Sequence, residues 1–462
     1  MVNPLKTHLH IFQLEDYSLR RFISWWLKHP FTFRVSQKKP LVYTPKTKLL
    51  LIISFVLYFA ILISSIKHHS LFILFILLLT ESFPLLFISL LLIKPYEIIR
   101  RAYTKKIVHS KIINHPHLTV IGITGSYGKT STKDFLHFIL SSNHKTLKTP
   151  ESYNTLFGIA KTINLELHRQ LQYFICEYGA YKRGEIKELT DTIPPQYAIL
   201  TAIGTQHIER FKSLKNTTLA KFELIDAVKP ENALLNFDNN LIRQYLQNSH
   251  YHKAKTYSLT HPETDFYVEK HILSNNGLSF TLKYQNQKYQ FRSSVFGSSN
   301  LENLTAAISM SLILGMDIST IKTAVNLITS SPHRLELKKI GKATLIDDAY
   351  SSNQQGFINI INDLSRLKGK KALITPGIIE LGKETTNIHQ SLGTLIAPVF
   401  DTIILVGKSE RTTAIEKGIE SNHKLKPAIN YLDNHSSLWP TINHLAQTHT
   451  WILLENDLPD NF

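Results

Sequence analysis

Apolar positions fall into two regimes along the chain. Near the start, Leu49 to Ile66 is uncharged throughout, and Leu71 to Ile93 carries one acid, Glu81, and one proline, Pro84. About 20 apolar residues cross a hydrocarbon layer as a helix. The short linker Lys67-His-His-Ser70 predicts a transmembrane hairpin over 49–93, the other reading being a buried helical hairpin. Ahead of it, Leu19, Phe22, Ile23, Trp26 and Leu27 recur at helical spacing up to Pro30. That amphipathic helix suits a membrane interface or the protein's own surface equally.

From residue 118 the pattern shortens. Leu118 to Thr124 (LTVIGIT) is a continuous β-branched run, as in a parallel strand buried on both faces. A Gly-rich turn and a helix, Lys129 to Leu140, follow it. Tyr173 to Glu177 and Ala198 to Ile203 read as further strands. Leu278 to Tyr284 and Tyr289 to Val295 alternate, predicting an antiparallel excursion, and a helix over Leu301 to Leu314 ends at Gly315. Past Ser330-Ser-Pro332 a second α/β unit begins, with strands at Thr344 to Asp347, Ala372 to Thr375, Thr402 to Val406 and Trp451 to Leu454. The expected organisation is a basic segment 1–48, a hairpin 49–93, an α/β nucleotide domain 108–330 and an α/β domain 331–462.

Charge refines the N-terminal reading. The 462 residues carry a net +17, but residues 1–48 hold nine basic and two acidic side chains, and 94–111 hold six and one. Most of the excess therefore flanks the apolar runs. The positive-inside rule puts both termini and the soluble domains in the cytoplasm of a two-pass membrane protein, with anionic lipid rather than nucleic acid as the partner. The single cysteine, Cys176, excludes an internal disulfide or a thiolate zinc cluster.

Chemistry concentrates after the first buried strand. In Gly122-Ile-Thr124-Gly125-Ser126-Tyr127-Gly128-Lys129-Thr130-Ser131, the glycines let backbone amides face phosphate oxygens. Lys129 supplies a cation for the terminal phosphates, and the Thr130 hydroxyl suits Mg²⁺. Glu177, closing a strand, has the position of a metal-binding carboxylate, although alone it reads as readily as a surface acid. His207 after the next strand is by default structural, and Lys221 in a helical stretch is by default solvated.

In order, the phosphate loop, E-x-G-A at Glu177, I-G-x-x-H at His207 and A-K-x-E at Lys221 resemble the Mur ligase family, in particular its MurF type. Further segments agree: Thr149 to Gly158 around Asn154 and Thr155, Gly184-Glu-Ile186, Asn300-Leu-Glu-Asn303, His333-Arg334-Leu-Glu336, Asp347-Asp348-Ala-Tyr350, and Glu380-Leu-Gly382 with His389. The resemblance covers about residues 108–455. It implies an ATP-dependent ligase joining a carboxylate to an amine through an acyl phosphate, most simply D-Ala-D-Ala to a UDP-linked or lipid-linked muropeptide.

The same resemblance implies roles. Lys129 and Thr130 would hold ATP and one of two Mg²⁺ ions, and Glu177 and His207 would complete the metal sites. Lys221 would carry a CO₂-derived carbamate. Asn303 would read adenine, Arg334 and Asp348 would meet the nucleotide from the C-terminal domain, and Asn154, Thr155, Tyr350, Asn353, Glu380 and His389 would lie toward the substrates. A monomer is expected. Three departures touch substrate recognition: residues 1–107 stand where the type has a UDP-sugar domain, Ser351-Ser-Asn353-Gln354 replaces N-A-N-P, and Leu453-Leu-Glu-Asn-Asp457 replaces a K-G-S segment. Alternatives are a Mur-like ligase extending another polyamide, or a membrane ATP-binding scaffold, for which a carbamylated lysine has no use.

Overall fold

The structure is a computed structural model. It describes residues 4–14, 17, 19–28, 41–68, 83–151, 153–206, 208–247, 249–350, 353–379, 381–421, 427–432 and 437–456. Two compact units divide it, one ending at Thr104 and one beginning at Lys105.

The first unit is helical: α1 (Pro4–Leu14), α2 (Leu19–Lys28), α3 (Pro45–Lys67) and the first part of α4 (Phe83–Ile113). Thr44 caps α3 by accepting from the Thr47 amide, and Pro45 sits where a missing N–H costs nothing. The amphipathic stretch forms α2 as expected, and its Phe22 is buried against Phe12, with ring centroids 4.8 Å apart, among Leu9, Leu50, Leu86 and Leu90. Phe22 thus packs on the protein's own helices, whereas Leu27 at the end of the same face is exposed.

The two-pass membrane arrangement is corrected here. Among the described residues α3 is the one helix long and apolar enough to cross a membrane. Residues 71–82 of the second run lie outside the described residues. From Phe83 the run continues into a helix that takes in Lys94, Pro95, Arg100, Arg101, Lys105, Lys106 and Lys111. The membrane location that rested on a hairpin falls with it.

The second unit holds two sheets. The first runs β1 (Thr119–Thr124), β2 (Thr146–Lys148), β3 (Tyr173–Glu177), β4 (Tyr197–Leu200), β5 (Ala233–Asn236), β6 (Lys255–Ser258), β7 (Phe266–Ser274), β8 (Gly277–Tyr284) and β9 (Gln287–Ser293). Their spatial order is β2-β3-β1-β4-β5-β6-β7-β8-β9, parallel through β7 and antiparallel from β7 to β9. The antiparallel excursion therefore extends the parallel sheet instead of standing apart. Helix α5 (Lys129–Ser141) covers one face together with α7 (Ser298–Ile313), burying Phe135, Leu136, Ile139, Leu304 and Ala307. Helix α6 (Leu214–Ile225) covers the other with Ala220, Phe222 and Leu224. Burial on both faces explains why β1 is apolar without alternation; each large side chain so buried contributes about 1.5–3 kcal/mol.

The second sheet comprises β10 (Glu336–Ile340), β11 (Ala343–Asp348), β12 (Lys371–Thr375), β13 (Thr402–Val406), β14 (Ala428–Leu432) and β15 (Trp451–Glu455). Its order is β10-β11-β15-β12-β13-β14, with only the β10–β11 pair antiparallel. Trp451, buried on this sheet, donates from its indole N–H to the Lys368 carbonyl at 3.1 Å. Both sheets end their parallel strands toward the chemistry: β1 runs into the glycine loop, β3 ends on Glu177 and β11 on Asp348.

Candidate active site

The turn from β1 into α5 is built by glycine at the position that requires it. Gly128 caps α5 at φ +82°, and a Cβ there would come within 2.4 Å of Asn303 Oδ1. Gly128→Ala is therefore expected to lose about 1–2 kcal/mol of stability from the left-handed backbone alone. A lower denaturant midpoint and weaker nucleotide binding would show it, and an unchanged midpoint would contradict it.

Lys129, the first residue of α5, bends back to donate to Gly125 O at 2.8 Å and Ser126 O at 3.4 Å. Burial pulls its ammonium below the usual lysine value, Glu177 opposes this, and the charges of Arg334 and Lys133 add to the lowering. Thr130 donates to Glu177 Oε2 at 2.9 Å, and the Asn154 amide donates to Oε1 at 3.1 Å. Lys133, one turn along α5, lies 3.4 Å from the same carboxylate and also donates to the Glu151 carbonyl. Burial works to raise Glu177, yet Lys129, Lys133 and the hydrogen bonds from Asn154 and Thr130 hold it below the ordinary carboxylate range. An ionised carboxylate beside a threonine hydroxyl is an oxygen donor set suited to Mg²⁺.

Lys221 lies on the buried face of α6, whose first turn is capped by Ser213. Only 3% of it is exposed. Burial is the main cause that lowers its ammonium to about 7, Lys129 adds to the effect, and Glu177, Glu185 and Glu223 oppose it. A small cavity joins Lys221 to Lys129, Asn154 and Gln206. Glu223, two residues on, accepts from the backbone amides of Gly184 and Lys187 at 2.6 and 2.9 Å. The G-E-I and A-K-x-E segments thus form one piece of structure.

A cavity of 260 Å³ opens over the loop, lined by Ser126 to Ser131, Asn154, Glu177 and Asn303 from the first sheet's side. Arg334, Asp348, Tyr350 and Asn353 line it from the second. The Arg334 guanidinium lies over the Tyr350 ring, 4.5 Å from its centroid. Asp348 accepts from the Leu335 amide at 3.2 Å, and burial is the main cause that raises it to about 7. Its neighbour Asp347 is engaged elsewhere, by His333 at 2.8 Å and Lys338 at 2.6 Å.

Other expected residues fall outside this cavity. Thr124 is buried and donates to the Tyr178 carbonyl at 2.8 Å, and Gly125 lines the smaller cavity toward Lys221. Thr155 caps the helix Leu156–Glu166. His389 is buried in the second α/β layer, accepting from the Ile378 amide at 2.9 Å. Asn303, by contrast, lines that cavity and also lies beneath the loop, its Oδ1 accepting from the Thr132 hydroxyl at 3.3 Å. His207 and Glu380 lie outside the described residues. The sequence reading passed over Lys133 and Glu302; a lysine on the buried face of the phosphate-loop helix, and an acid inside N-L-E-N, were the signals.

Residues 123–311 match the Mur ligase middle domain. The UDP-N-acetylmuramoyl-tripeptide–D-alanyl-D-alanine ligase of Escherichia coli is 28% identical over 314 residues, covering 67% of this chain and 69% of that protein. The ligase of the same name from Buchnera aphidicola is 29% identical over 321 residues, covering 68% and 70%. A crystal structure of MurF from Acinetobacter baumannii superposes with a TM-score of 0.68 at 25% identity, covering 77% of each chain. The MurF ligase of Thermotoga maritima, solved in complex with ADP, shares the fold with a TM-score of 0.69 at 21% identity, over 78% of this chain and 81% of that one. With phosphate loop, buried carboxylate and buried lysine in one α/β frame and these relatives beside it, the chain carries a Mur ligase middle domain and is similar to Mur ligases of the MurF type.

Proposed function

We propose that this chain is an ATP-dependent ligase that joins D-alanyl-D-alanine to the tripeptide of a UDP-linked muramoyl peptide, in peptidoglycan synthesis. The observation that carries the reading is the single cavity in which Lys129, Thr130 and Glu177 face Arg334 and Asp348. Residues 108–330 are the nucleotide domain and 331–462 the domain that closes on it.

The chemistry follows from what each group supplies. A carboxylate is a poor acyl donor, so its oxygen attacks the γ-phosphorus of ATP, giving an acyl phosphate and ADP. The amine then attacks the acyl carbon, and the tetrahedral intermediate expels phosphate and a proton. Lys129 and Arg334 place positive charge where the transferring phosphoryl group becomes more negative. Bound Mg²⁺ supplies further charge neutralisation, and Thr130 and Glu177 would hold it. Lys221, lowered to about 7 by burial, reacts through its free-amine fraction with CO₂, forming an N–C bond and releasing a proton; the carbamate is then an oxygen-bearing anion facing Lys129. Packing of the second sheet's residues over the loop excludes water that would hydrolyse the acyl phosphate.

The test is Mg-ATP-dependent phosphate release by the purified full chain, with D-Ala-D-Ala and the UDP-linked tripeptide, and mass spectrometry of the product. The expected product is the pentapeptide. ATP cleavage with another amine and none with D-Ala-D-Ala would overturn the substrate assignment while keeping the ligase chemistry.

A further inference from the structure

Two adjacent positions on α7 meet the nucleotide cavity differently. Asn303 is committed beneath the loop, its Oδ1 bound by Thr132 and lying against Gly128. Glu302 is rotated by about 100° from it on the helix. It lines both the 260 Å³ cavity and an adjoining one of 620 Å³. The two cavities share Tyr127, Gln206, Glu302 and Asn353. The wall of the larger one carries amides, among them Gln206, Asn240 and Gln354, together with the acid Asp238. With phosphates at Lys129, a nucleotide running past Tyr127 brings its base there.

We propose that Glu302 discriminates the purine base of the nucleotide, its carboxyl pairing with the exocyclic amine and an adjacent ring nitrogen of adenine. This rests on the ATP reading above and goes beyond it by naming the base-reading group. A neutral carboxyl offers one donor and one acceptor, the complement of adenine's N6 amine and ring nitrogen. An ionised carboxylate only accepts, which suits the N1–H and N2 amine of guanine and opposes the lone pair of adenine. Protonation of one side chain therefore sets the preferred base. Burial raises Glu302 to about 7; the Asn236 amide opposes the shift and the negative charge of Asp238 adds to it. Facing it are the phenols of Tyr127 and Tyr257, both pushed above their ordinary value by burial, and Asp238. The Asp238 carboxylate is held by the Ser258 hydroxyl and the Leu259 amide.

The experiment is competition of ATP and of GTP against a ribose-labelled fluorescent ADP on the full chain, with Mg²⁺, between pH 6 and 8.5. Phosphate titration affects both competitors alike and cancels in their ratio. The wild-type preference for ATP is expected to shrink by about tenfold per pH unit above 7, as one proton is linked to adenine binding. In Glu302→Gln, whose amide keeps a donor and an acceptor at every pH, the ratio stays flat. Parallel ATP and GTP profiles in the wild type, which need no variant, would overturn the proposal, as would a Glu302→Gln profile that follows the wild type. Failure of the wild type to bind either nucleotide at any pH would instead overturn the ATP reading itself.

Discussion

Lys129→Ala lowers Mg-ATP-dependent phosphate release by about 10³-fold or more, the range seen when one charged group stabilising a transferring phosphoryl is removed. The side chain has no comparable structural duty. Its hydrogen bonds run to Gly125 and Ser126 carbonyls of its own loop. Glu177, the nearest carboxylate, keeps Thr130, Asn154 and Lys133 when Lys129 is gone. The variant should therefore melt close to the wild type, separating loss of charge from loss of fold. Because Lys129 also adds to the charge that depresses Lys221, its removal raises the Lys221 value and thins the neutral amine there. Turnover within tenfold of the wild type would remove the lysine from the phosphoryl-transfer step.

How much of this was legible in sequence depends on whether the signal was local. The run Leu118 to Thr124 and the glycine turn after it carry their own evidence, and β1 and α5 lie there. Short edge strands such as β2, three residues long, and β14, half exposed, have no pattern to separate them from loops. They exist because β3 and β13 offer them unpaired backbone. The N-terminal error has a different cause. Hydropathy of a window does not record the helix in which it ends, and α4 carries its apolar start into a basic, Pro95-containing stretch. Within the site, Lys129, Thr130, Glu177 and Lys221 were readable as a series of motifs. That Lys133 is fully buried against Glu177, and that Asn303 supports the loop while Glu302 reaches both cavities, depend on helix rotation against a tertiary neighbour, which no spacing rule contains.

Lys221→Ala is expected to be inactive, by about 10³-fold or more, yet partly restored by added acetate or propionate. The argument begins with solvation. An ordinary lysine, near 10.5, is almost wholly protonated at neutral pH and does not react with CO₂. Burial takes Lys221 to about 7, so half of it is a free amine at that pH and nearly all of it above pH 8. The sign follows: carbamate formation is favoured as the pH rises through 7 and suppressed below it, and activity of the wild type should fall on the acid side and on depletion of bicarbonate. Glu177 and Glu223 near the site do not replace the lost anion, since Glu177 is bound by Thr130 and Asn154 and Glu223 by two backbone amides. A short carboxylic acid entering the space vacated by the side chain can. Labelled ¹³CO₂ gives a readout independent of turnover: a carbamate resonance present in the wild type and absent in Lys221→Ala. Full activity of the alanine variant without added acid, or a wild type indifferent to bicarbonate, would leave Lys221 as a buried amine with no part in the reaction.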